Sequence, residues 1–187
     1  VWMWNGATWT RIGGDAVNGS WALNTFEAVN TLTFAGGILY AGLGNSANDG
    51  EVWSWNGTTW TKIGGDSLNN GWTTNYDFVH ALVSDGTNVY AGLGISVDEA
   101  EVWSWNGTLW TKIGGDAVNG SWGAGYESVR SLTFSGGILY AGLGDTGTAT
   151  DGEVWSWNGT TWTKIGGDTV SGSWGAGYEA VYRLVHD

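Results

Sequence analysis

The chain has 187 residues, with 34 Gly, 16 Trp, no Pro and no Cys, and 6 basic against 18 acidic side chains leave a net charge of −12. Without Cys there is no disulfide framework, no thiolate metal site and no cysteine nucleophile. The acidity argues against nucleic-acid and anionic-membrane partners, which basic residues recognise. No apolar run reaches the roughly 18 residues of a membrane span, and no charged, apolar leader of the signal-peptide kind opens the chain.

Sixteen Trp in one chain point to repetition, and the repeat is plain. VWMWNGATWTRIGGD opens the chain, and EVWSWNGTTWTKIGGD at 51–66 returns at 101–116, with Leu for one Thr, and at 153–168. Successive copies are offset by 51, 50 and 52 residues, and each carries four Trp. The units read as 1–50, 51–100, 101–152 and a partial 153–187, one repeat array over 1–187.

In chain order each full unit predicts four strands, because apolar residues alternate and no 3.6-residue period is present. In the first, strand one is VNTLTF at 29–34 and strand two is ILYAGLG at 38–44, joined at Gly36-Gly37. Strand three is EVWSW at 51–55 and strand four TTWTKI at 58–63, joined at Asn56-Gly57. A two-residue loop there sets Trp53 against Trp60 and Glu51 against Lys62; a four-residue loop sets Trp55 against Trp60 and Val52 against Ile63. Both put Glu51, Trp53, Trp55, Trp60 and Lys62 on one face. The fold class is therefore all-β: a β-propeller of near-identical four-stranded antiparallel blades. Arg11 has no Glu at the position matching Glu51, and LVHD at 184–187 matches LVSD at 82–85, just before a turn. Two readings stay open, a segment of a longer array and a ring of about four blades.

The motifs LYAGLG and EVWSWNGTTWTKIGG resemble the propeller repeats of bacterial kelch-like and galactose-oxidase-central-domain-like proteins, over nearly the whole chain. They also resemble repeats in large surface proteins of uncultured bacteria. The WSWNGTTW hairpin is similar to that of fucose-binding propeller lectins, whose pockets hold sugar with Trp, Arg and Glu. Here Trp and Glu recur, but Arg11, Arg130 and Arg183 occupy three different repeat positions. The resemblance implies a propeller fold and, more loosely, an extracellular or cell-surface location.

Three sets of residues are candidate sites. Trp21, Trp72, Trp122 and Trp174 lie in the long connection between units, where a large ring either pins the loop or faces a sugar. Asn30, His80, Arg130 and Tyr182 form one column, early on strand one, whose identity changes from unit to unit; in a propeller this strand lines the central channel. Asp15, Asp66, Asp116 and Asp168, with Glu27, Asp77, Glu127 and Glu179, supply recurring loop oxygens. These suit calcium or serve as turn caps and loop anchors. Calcium is the one cofactor weighed. Asn18, Asn56, Asn106, Asn119 and Asn158 stand in glycosylation sequons, but each is also the Asn of an Asn-Gly turn. The expected function is a surface recognition or scaffold module that is not an enzyme. A lectin with one site per repeat and a fragment of a propeller enzyme are the alternatives. Expected partners are a protein or glycan ligand, without nucleic acid or membrane insertion, and self-association through open blade edges.

Overall fold

The computed structural model describes residues 1–22, 28–45, 49–144, 152–175, 177–178 and 180–185. Fourteen strands are present among them. An N-terminal hairpin pairs β1 (Trp2–Trp4) with β2 (Trp9–Arg11). Three four-stranded antiparallel sheets follow. The first is β3 (Val29–Ala35), β4 (Ile38–Leu43), β5 (Val52–Trp55) and β6 (Trp60–Gly64). The second is β7 (Val79–Ser84), β8 (Val89–Leu93), β9 (Glu101–Trp105) and β10 (Trp110–Gly114). The third is β11 (Ser128–Ser135), β12 (Ile138–Gly144), β13 (Val154–Trp157) and β14 (Trp162–Gly166). Strands neighbour one another in chain order within every sheet, so each is a simple meander. These are propeller blades, and the expected all-β class holds.

The turns show why the strands fall where they do. Gly36 and Gly37 take φ of 58° and 83° in a two-residue loop, a geometry closed to most side chains. The Asn56-Gly57 hairpin uses the four-residue alternative: Trp55 pairs with Trp60, Ser54 with Thr61 and Trp53 with Lys62. Its reason is local. Asn56 Oδ1 accepts the backbone N–H groups of Thr58 and Thr59, both at 2.9 Å, which folds the loop onto its own side chain. Asn106 makes the same two bonds at 2.9 Å.

Val52 then faces Gly64 rather than Ile63, because the ladder shifts by one residue. Such a bulge leaves the extra residue outside the ladder, and the carbonyl of Ile63 is put to use. It accepts Asn69 Nδ2 of its own following loop at 3.0 Å and Trp110 Nε1 of the next blade at 2.8 Å. Ile12 and Ile113 repeat both bonds, with Asn18 and Trp60 and with Asn119 and Trp162. Each fourth strand is thereby tied to the next. The indole sits close against a glycine: a Cβ on Gly64 would meet Trp110 Nε1 at 2.8 Å and the Trp72 ring at 2.9 Å. The core consists of three clusters between successive sheets. Among the described residues no helix is long and apolar enough to cross a membrane.

Candidate functional site

The first strands β3, β7 and β11 pack side by side, β7 touching both others. With the segment 182–184 they line a cavity of about 370 Å³. Asn30, His80, Arg130 and Tyr182 all face it, so the variable column does come together in one place.

The four side chains are held differently. Asn30 Nδ2 donates to the carbonyl of Gly44 at 2.8 Å. His80 Nε2 lies 2.6 Å from the equivalent carbonyl, Gly94, and must carry the proton there because a carbonyl only accepts. In the third blade Ser128 Oγ takes that carbonyl, Gly144, at 2.8 Å. Arg130 is thus relieved of the task its counterparts perform. Its guanidinium lies 5.6 Å from the centre of the Tyr182 ring, a cation–π contact, and Tyr182 is 66% exposed. Burial, and then the positive charge of Arg130, push His80 down to about 4, so it is neutral at neutral pH. Arg183 also lines the cavity. Sequence reasoning passed over it because it belongs to no recurring column, although it directly follows Tyr182.

A second constellation repeats in each blade. Glu51, Glu101 and Glu153 are buried. Each accepts the indole N–H of the Trp two residues on, at 2.7 Å. Each also holds a lysine: Lys62, Lys112 and Lys164 respectively. The same lysines bind Asp66, Asp116 and Asp168, and Arg11 binds Asp15. Burial alone would lower the three lysines, but these carboxylate bonds hold each above its usual value. Tyr76, half-buried and bonded to Glu101, is pushed far up.

The Asp column, weighed as a calcium site, is ion-paired in this arrangement with the protein's own cations. Asp77 and Glu127 stand where the chain passes tightly, their peptide carbonyls closing on Gly44 and Gly94. Glu27 and Glu179 lie outside the described residues. Among the described residues no group of three or more acidic or His side chains is placed to hold a metal.

Three of the four loop Trp are covered in the structure. Trp21, Trp72 and Trp122 are 7%, 2% and 2% exposed, which leaves no ring face for a sugar. Trp72 sits edge-on to Trp103 and Trp110 of the next blade, with ring centres 5.9 and 5.1 Å away. Its indole N–H reaches back to the carbonyl of Gly50 at 2.6 Å. Trp122 repeats this against Trp155, Trp162 and Ala100. These rings pin the loops and join blade to blade. Trp174, with no described counterparts of Trp103 and Trp110 beside it, is 37% exposed. It lines a cavity of about 440 Å³ that shares Tyr182 and Arg183 with the central one.

No protein-family model matches the chain, and no curated protein matches it in sequence. Among solved structures it is similar to the Bacteroides ovatus protein described as "Xyloglucan PUL GH43B". The two are 13% identical with a TM-score of 0.46, over 76% of this chain and 32% of the other. The chain thus spans about a third of that neighbour's length. The neighbour is a GH43 glycoside hydrolase. On that finding the expectation that this chain is not an enzyme is corrected and withdrawn. The kelch-like resemblance stays a resemblance; the coarser statement, a β-propeller, stands.

Proposed function

We propose that the chain is a carbohydrate-recognition module of the β-propeller type, with its ligand seated at the central cavity. One observation carries the reading: residues at the same position in four repeat units, unlike one another, converge on a single cavity of about 370 Å³. Tyr182 offers an exposed ring face, and Asn30 and Arg130 offer planar polar groups beside it. An aromatic face next to hydrogen-bonding side chains is what a pyranose, apolar on one face and hydroxylated at its rim, requires. The covered faces of Trp21, Trp72 and Trp122 favour one site per chain over one per repeat.

Glycan-array screening followed by calorimetry tests this. The expected result is binding with a stoichiometry of one, weakened roughly threefold to tenfold in Tyr182→Ala, where stacking is lost. Stoichiometries near four, or affinity unchanged in Tyr182→Ala, would overturn the central site.

A further inference from the structure

The chain is strongly acidic, yet its cations are sorted. Of six Lys and Arg, Arg11, Lys62, Lys112 and Lys164 are ion-paired. Arg130 and Arg183 form no ion pair among the described residues, and both line the central cavity, whose lining contains no carboxylate. Arg130 is the more telling. Its Nε and Nη2 are buried without a hydrogen-bond partner, the only buried side-chain polar atoms so left among the described residues. A buried guanidinium without an acceptor is costly, and native structures leave few such groups.

The two orphaned atoms are not an arbitrary pair. Nε–H and the near N–H of Nη2 form one edge of the planar guanidinium, two parallel donors that match the two oxygens of a carboxylate. His80 beside it is neutral at neutral pH and adds no competing charge. Tyr182 lies over the guanidinium and is largely exposed, so an aromatic face and this donor edge meet in one cavity. Ser128 frees Arg130 from the carbonyl that binds its counterparts.

We propose that the Nε/Nη2 edge of Arg130 is the receptor for a carboxylate on the ligand, so that the cavity selects an acidic, uronate-type saccharide. This rests on the central cavity being the saccharide site, and the test separates the two.

Calorimetry on the full chain at pH 7 and fixed ionic strength compares glucuronate, glucose and inorganic phosphate. Glucuronate is expected to bind tighter than glucose by roughly tenfold to a hundredfold, the worth of a charge-assisted bond. Arg130→Gln should reduce glucuronate to the affinity of glucose. Arg130→Lys, which keeps the charge but not the fork, should recover only part of the preference. In Tyr182→Ala both sugars should weaken together with their ratio kept. Glucuronate no tighter than glucose in the unaltered chain would overturn the carboxylate receptor while leaving the saccharide site standing. That outcome needs no variant to fold. Phosphate binding as tightly as glucuronate would overturn the saccharide selectivity in favour of a general oxyanion site. If neither sugar binds, both readings fall.

Discussion

His80 shows how a single residue links burial to pH response. Its ring is stacked on Phe78 at 5.1 Å, its Nε2–H is tied to Gly94, and burial and Arg130 depress its affinity for a proton to about 4. The unfolded chain takes up that proton near pH 6.5 and the folded chain only near 4. This contribution to stability is therefore complete above about pH 6.5, declines as pH falls toward 4, and is level below it. Asn30 performs the same carbonyl bond without a titrating group, which makes His80→Asn the natural control. Urea unfolding at pH 7 and pH 4.5 should show the unaltered chain losing about 2 kcal/mol more than His80→Asn between the two. Equal losses would mean that His80 titrates normally in the fold.

At the scale of elements, the blade interface is a lock between an indole and a glycine. Gly64 has no positive φ to explain it; the reason is space, since Trp110 and Trp72 both occupy the volume of a Cβ. Gly64→Ala should cost about 1–3 kcal/mol by overpacking. Gly57→Ala is the contrast: nothing lies within 4 Å of the added carbon, but φ is +99°, so its smaller cost comes from backbone strain alone. Trp72→Ala, which on sequence grounds tests sugar binding, should instead destabilise the fold by about 3–5 kcal/mol. Thermal or urea melts that left Trp72→Ala as stable as the unaltered chain would contradict its role as a bridge between blades. Strand positions were legible, because alternation and Asn-Gly punctuation are local signals. The register was not decided: Glu51, Trp53, Trp60 and Lys62 share a face in either hairpin. Only the Asn56 side chain folding back on its loop, with the bulge at Ile63, selects the four-residue form.

Across the whole molecule, electrostatics divides the acidic chain into parts. Each described blade holds a lysine between a buried Glu and a loop Asp, so these loop carboxylates already have a cation partner within the protein. Excess EDTA should leave the melting temperature unchanged, since an ion bound only to the native state would raise it; a fall of several degrees would restore a metal site.

The sequence alone determined the repeat, the four-strand unit and the all-β class, because a period of about 51 residues, alternating strands and Asn-Gly turns are read directly from residue order. It also placed the variable column at one position of the repeat. What that column becomes was decided by tertiary structure. Convergence of Asn30, His80, Arg130 and Tyr182 depends on how the first strands of three blades and the segment 182–184 pack around one cavity. The fate of the tryptophans was decided there too. A ring in a Gly-rich loop looks the same in sequence whether it is buried or bare, and only the next blade, closing over Trp72 with Trp103 and Trp110, made it core.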